Sequence, residues 1–383
     1  MTLRQDSVGL YLHIPFCERI CAFCAFVTRG YREPRAAAFV SDLMAEIRLS
    51  GREGRLRGRP VETIYFGGGT PTTLSADQLL QILDACRENF SLDPAGEIAI
   101  EANPATVEGP ALRALRQGGF SRISYGAQSF DDAELKAVGA PHTVEEIRGA
   151  VGMAREAGFA NLNLDLIYGL PGQSPARWAA NLEAAISLEP EHLSFYGLTI
   201  EEGSRLHRER GRGCLAMEAD EVLADMYRRG QEALGAAGYV QYEVSNFCRP
   251  GYACRHNLRY WTDQEWVGFG PGAHSYLDRD RFSNVVSLEA YHRMVTEGVL
   301  PIAEREPGTP DLRLREAMAF GLRMVGGVRV EPLESRYGVD PLDRFRDPIE
   351  RMTRDGWLIL EDGVLRPSLA GIMFTDSLAA SFL

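Results

Sequence analysis

Cys17, Cys21 and Cys24 fall within eight positions of HIPFCERICAFCAF, spaced C-x3-C-x2-C. Thiols this close together in a chain without a disulfide framework point to metal binding. A structural zinc site closes with four ligands, and here a fourth is missing. His13 precedes the loop, but it belongs to a strand and faces a neighbouring pleat. An iron–sulfur cube has four irons and takes thiolate ligands, so three cysteines leave one iron open to an outside chelate. A zinc knuckle or a set of buried thiols is the plainer alternative. Phe26 stands two positions beyond the last thiol. Cys86, in the helix-like QILDACREN, reads as buried packing, and Cys214, Cys248 and Cys254 lack ligand spacing.

Other groups with chemistry in them stand at the ends of apolar runs. Gly67, Gly68 and Gly69 open GGGTPT. Glycines permit close backbone approach, so their N–H groups can hold a polar ligand edge; a tight strand-to-helix turn requires glycine as well. Glu101, Gln128 and Asp165 lie at or within strand ends. A polar group in such an interior is costly unless it meets a ligand or an internal partner. No Ser-His-Asp order or paired-carboxylate motif stands out, and no catalytic residue is assigned.

The elements that must carry these groups alternate. VGLYLHI, VETIYFGG, GEIAIEAN, SRISYGAQ, ANLNLDLIYG and EHLSFYGL read as six buried strands. Between them lie amphipathic stretches such as RAAAFVSDLMAEIRLS, SADQLLQILDACRENF and PARWAANLEAAISLE. This alternation predicts an α/β fold, a partial (β/α)6 TIM-like barrel with chemistry at the C-terminal ends of its strands. That unit spans residues 1–235. Residues 236–304 form a connecting region, aromatic-rich and irregular from about 239 to 280 and holding HNLRYW. Residues 305–383 form a C-terminal helical, winged-helix-like unit. In it, Leu314, Met318, Leu322 and Val325 share a helix face, and GWLILEDGVLRPS is a hairpin turning at Asp362-Gly363.

Composition narrows the function. The net charge is −12, which argues against nucleic-acid binding by phosphate neutralisation. Even the C-terminal unit has 13 acidic residues to 11 arginines. Lys136 is the only lysine among 41 basic residues, a bias read as coding composition. The arginine-rich REGRLRGR (52–59) and RLHRERGR (205–212) read as solvated loops, with the carboxylates of a ligand as their alternative partner. No run is long and apolar enough for an integral membrane segment, and no signal peptide opens the sequence, so a cytoplasmic location is expected.

Taken together, the cysteine loop, YLHIPFC, GGGTPT, EANP, GAQSF, NLDLIYGLPGQ and HNLRYW resemble the radical S-adenosylmethionine (SAM) superfamily. Within it they resemble the oxygen-independent coproporphyrinogen III oxidase/dehydrogenase family over nearly the whole chain. The resemblance implies a radical SAM barrel with a [4Fe-4S] cluster on Cys17, Cys21 and Cys24, and SAM on the open iron. It implies SAM contacts from Tyr11, Phe23, Gly68, Gly69, Thr70, Glu101, Gln128 and Asp165, with a backbone contact from Ala273. Phe26 replaces the fourth cysteine of the porphyrinogen-oxidising branch, and HNLRYW resembles the H-N-x-x-Y-W of the haem-chaperone branch. That branch implies haem as cargo, His256 as its ligand, and haem-receiving proteins such as respiratory enzymes as partners. A His–Asn pair capping a loop is the alternative for His256. The oxidase reading, in which propionates become vinyl groups, is the alternative function. Ala140 departs from the family's usual Arg, which removes a fork of donors for a carboxylate.

Overall fold

A computed structural model describes residues 3–213, 215 and 217–383; Cys214 lies outside them. Six parallel strands stand side by side in chain order: β1 (Val8–Ile14), β2 (Pro60–Gly68), β3 (Ser91–Ala102), β4 (Arg122–Gln128), β5 (Leu162–Tyr168) and β6 (His192–Gly197). Each parallel step needs a crossover, because a hairpin cannot reverse the chain twice. Helices α1 (Glu33–Glu53), α2 (Ala76–Asn89), α3 (Gly109–Gln117), α4 (Val144–Glu156) and α5 (Pro175–Ile186) lie on these crossovers. Starts are written in the sequence: Ser75–Gln78 and Thr143–Glu146 form capping boxes at α2 and α4, each satisfying otherwise orphaned N–H groups.

Strand side chains alternate between faces. On β4 to β6 one face is apolar: Ile123, Tyr125, Leu162, Leu164, Leu193 and Phe195 join the main core with Ile147, Val151, Trp178 and Leu182 of the covering helices. The other face carries Arg122, Ser124, Gln128, Asn163, Asp165, His192 and Ser194, all of which line one cavity. Such an inner face cannot pack into a dry core, so the arc stays hollow.

The stretch from 239 to 280 is not irregular, contrary to expectation. Asn246–Cys248 and Val240–Gln241 extend the sheet beyond β6, and Trp266–Phe269 pairs with β1 in parallel. His274–Leu277, Asp280–Asn284 and Ile302–Glu306 continue that edge antiparallel. Strands of two to five residues are too short to show a period. Among the described residues the two ends of this ladder do not pair, so it is an open arc.

HNLRYW lies on a helix, α6 (Arg255–Trp261), set across the N-terminal ends of β1 to β3. Arg259, without exposed surface, holds Glu62 Oε2 at 2.9 Å and Ser7 Oγ at 2.8 Å. Arg255 pairs with the other Glu62 oxygen. The His256 N–H donates to Glu97 Oε1 at 3.1 Å. RLHRERGR is also helical (Arg205–Gly211) rather than a loop.

In the C-terminal region α7 (Pro310–Gly321) places Leu314 and Met318 in a second core with Leu322, Leu365 and Phe382. The helix stops at Gly321, so Val325 leaves that face and packs on the main core. The hairpin turns where expected, with Asp362 and Gly363 both at positive φ (50° and 71°).

Glu46 on α1 is buried and accepts from Gly270 N–H (2.8 Å), Asn284 Nδ2 (2.6 Å) and Tyr291 Oη (2.5 Å). Loss of water pushes its carboxyl from 4.5 up to about 7. The folded carboxyl holds its proton more tightly than the unfolded one, so ionisation works against the fold. The cost is absent below the unfolded value and complete above about pH 7. From this group alone, stability falls by about 3 kcal/mol as pH rises through that window. Thermal melts between pH 5 and 8 should show this decline, and Glu46→Gln should make it shallower.

Candidate functional site

A cavity of about 850 Å³ runs through the arc from the cysteine loop toward Arg122, at the opposite end of the strands. Tyr11, Cys17, Cys21, Phe23, Cys24, Gly68, Gly69, Thr70, Glu101, Gln128 and Asp165, separate in sequence, all line it.

The loop after β1 is fastened at several points. His13 Nε2–H donates to the Val27 carbonyl at 2.8 Å, which leaves Nδ1 to accept from Tyr11 Oη at 3.2 Å. His13 thus ties down the return of the loop and is no metal ligand. Gly69 N–H and Thr70 N–H donate to the Ile14 and Phe16 carbonyls, and Thr70 Oγ1 donates to Cys17 Sγ at 3.5 Å. Among the described residues no three His, Cys, Asp or Glu side chains meet at a point fit for one metal ion. A tetrahedral zinc needs such a point; a cube takes each thiolate on a different iron. Burial raises all three thiols, Cys21 to about 12. They stay protonated until a cation replaces the proton, as binding to iron does. The donor set therefore fits a cluster. Phe26 points outward at the cavity mouth, 73% exposed.

The glycines do not offer the N–H groups expected of them. Gly68 N–H donates to Glu101 Oε2 at 3.1 Å, and those of Gly69 and Thr70 go to the loop. Their lack of Cβ serves packing: on Gly68 (φ 109°) a Cβ would meet the His13 ring at 2.5 Å, and on Gly69 the Phe16 carbonyl at 2.6 Å. Glu101 also accepts from Tyr65 Oη at 2.8 Å. Desolvation lifts its carboxyl to about 7, and nearby Asp165 adds to the rise. Asp165 is raised by burial too, against donors from Asn163 (2.8 Å) and Ser124 (3.0 Å). Two carboxylates held in a hollow interior suit a ligand that brings positive charge or hydroxyl donors.

Gln128 has φ 67°, left-handed for a residue with a side chain, at a cost of order 1 kcal/mol or more. A β-bulge between Gly126 and Gln128 accompanies it. A Cβ on Gly126 would sit 2.8 Å from Gln128 Nε2, so that glycine makes room for the side chain. Ala140 packs beside Phe23 against Val138, Ile167 and Leu170. Arg205 lies over Gly139 but pairs with Glu209 at 3.3 Å and is off the cavity wall; it does not restore the missing fork.

Two expected ligand residues lie elsewhere. Ala273 is buried in the turn before His274, with its N–H given to the Gly270 carbonyl and its carbonyl taken by Asn284 N–H. His256 is fully buried, and both its ring nitrogens are engaged. Thr63 Oγ1, which accepts from Arg259 Nε at 2.9 Å, lies 2.9 Å from His256 Nδ1, and Tyr260 Oη lies 2.8 Å from Nε2, so each ring nitrogen has a hydroxyl partner. The ring stacks on Tyr65 at 5.3 Å, and burial drives its pKa far down. As placed, it offers no lone pair to iron. It is a structural histidine, though it fastens a floor rather than capping a loop. The same helix presents Asn257 and Tyr260 to the cavity instead.

Arg122, Ser124, Asn163, His192 and Ser194 were not singled out from the sequence. Counting back by twos from Gln128 and Asp165 would have found the first three, since alternate strand residues share a face.

Residues 11–185 match the model of the radical SAM superfamily and residues 309–374 that of the HemN C-terminal domain. The chain is 36% identical to the heme chaperone HemW of Mycobacterium tuberculosis, over 94% of each chain. It is 35% identical to that of Bacillus subtilis, over 97% of this chain and 98% of the relative. The solved structure of coproporphyrinogen III oxidase (HemN) from Escherichia coli superposes with a TM-score of 0.86 at 26% identity, covering 99% of this chain and 90% of that one.

Gly126→Ala should push Gln128 out of position while leaving the thiols untouched. The expected result is SAM binding weakened about tenfold, or ~1.4 kcal/mol, with iron and sulfide content unchanged after anaerobic reconstitution.

Proposed function

The chain belongs to the radical SAM superfamily and, within it, to the family of the heme chaperone HemW, and from that premise we propose that it binds haem and delivers it to haem proteins. Respiratory enzymes are the natural recipients. The carrying observation is the cysteine loop itself: three thiols on the wall of a large cavity, followed by an exposed Phe26 where the porphyrinogen-oxidising branch has a fourth thiol. Cys17, Cys21 and Cys24 hold a [4Fe-4S] cluster, and Tyr11, Phe23, Glu101, Gln128 and Asp165 surround SAM. When bound, that pair supplies one-electron chemistry. The protein's part is to seat it, keep Glu101 and Asp165 desolvated, and exclude water behind the floor helix. No described helix is long and apolar enough to cross a membrane.

The deciding experiment is anaerobic reconstitution followed by parallel assays of haem retention and coproporphyrinogen III conversion. Haem should be retained and then transferred to an apo haem protein, without vinyl formation. Turnover to protoporphyrinogen would sink the chaperone reading in favour of the oxidase. Because His256 fastens the floor, His256→Ala should cost about 1–3 kcal/mol of stability, read as a lower Tm. The absorption maximum of bound haem should not move; a shifted band would restore His256 as the ligand.

A further inference from the structure

Three arginines are almost wholly buried: Arg122, Arg259 and Arg313. Two have a carboxylate. Arg259 holds Glu62 at 2.9 Å, and Arg313 holds Glu316 at 2.5 Å. Arg122, 2% exposed, has none within ion-pair distance among the described residues. Its hydrogen bonds all leave from Nη1, to Asn161 Oδ1 (2.7 Å) and the Tyr252 carbonyl (3.3 Å), both neutral. Among the described residues Nε and Nη2 find no hydrogen-bond partner, and the side chain lines the cavity. Glu97 and Asp165 act on it only through space, without reaching it: Asp165 is held by Asn163 and Ser124, and Glu97 by the His256 N–H.

A buried guanidinium with no anion in direct contact is costly, and its free edge matches the two oxygens of a carboxylate. We propose that Arg122 anchors a carboxylate of the bound ligand at the inner end of the cavity, opposite the cysteine loop. Asn163, His192 and Ser194 stand beside it on β5 and β6, polar neighbours that tolerate a charged group there. A porphyrin would bring that carboxylate through a propionate, since the amino-acid end of SAM belongs at the cysteine loop. The propionate source rests on the haem-chaperone reading.

The test uses the reconstituted full-length protein and one ligand pair that differs only in the carboxylates, haem and haem dimethyl ester. Wild type should bind haem at least tenfold more tightly than the ester. Arg122→Gln should bind both alike. Arg122→Lys, which keeps the charge but not the fork, should retain part of the preference and guards against loss of fold in the glutamine variant. The anchor is overturned if wild type does not discriminate, or if the preference survives intact in both variants. Wild type that binds haem and its ester equally overturns the anchor and leaves the chaperone reading standing. Wild type that binds neither overturns the chaperone reading and the anchor with it.

Discussion

One buried carboxylate, Glu62, is shared by two arginines of a single short helix, and the floor of the cavity hangs on it. Arg259 reaches it through the barrel wall and Arg255 from the rim, while Ser7 Oγ adds a donor at 2.7 Å. Removing the carboxylate would strand a desolvated guanidinium, the situation in which a buried pair matters most. Desolvation already draws Arg259 down to about 10, with Glu62 opposing it. From this clasp the order passes upward: Arg259 orients Thr63, Thr63 orients His256, and His256 fixes Tyr260 on the cavity wall.

The second constraint is the two-residue period of the strands. Leucine, isoleucine and aromatic residues on the outer face of β4 to β6 bind the helices, and the alternate positions are left to polar groups. These then satisfy one another. Asn163 alone donates to Ser124 (2.7 Å) and Asp165 and accepts from Ser194 (3.2 Å), while His192 lies 2.6 Å away. A wall wired in this way is rigid without a ligand, which is what preorganised recognition requires.

Much of this was legible in the sequence, and the reasons differ by region. The six strands could be read because each is six residues or longer and bounded by glycine, proline or a capping residue. The cysteine loop could be read because its spacing leaves few alternatives. The edge strands could not, because Val240–Gln241, Asn246–Cys248 and Trp266–Phe269 are too short to display an alternation. His256 shows a different limit. A histidine amid aromatic residues reads alike whether its nitrogens face a ligand or two hydroxyls, and only Thr63, 193 residues away in sequence, settles it. The triple glycine was placed rightly and its N–H groups were not, since hydrogen bonds to Ile14 and Phe16 depend on how the loop folds back.

The arc does not close on itself. A closed eight-stranded barrel fills its middle with side chains, and enlarging that middle means adding strands or breaking rungs. Here the ladder ends at Val240–Gln241 on one side and Ile302–Glu306 on the other. In an open ladder the splay between adjacent strands can differ from one sequence to another while every rung is kept. The width of the cavity is therefore set by curvature and not by strand count. A ligand of a different girth asks for a different curvature rather than a new core.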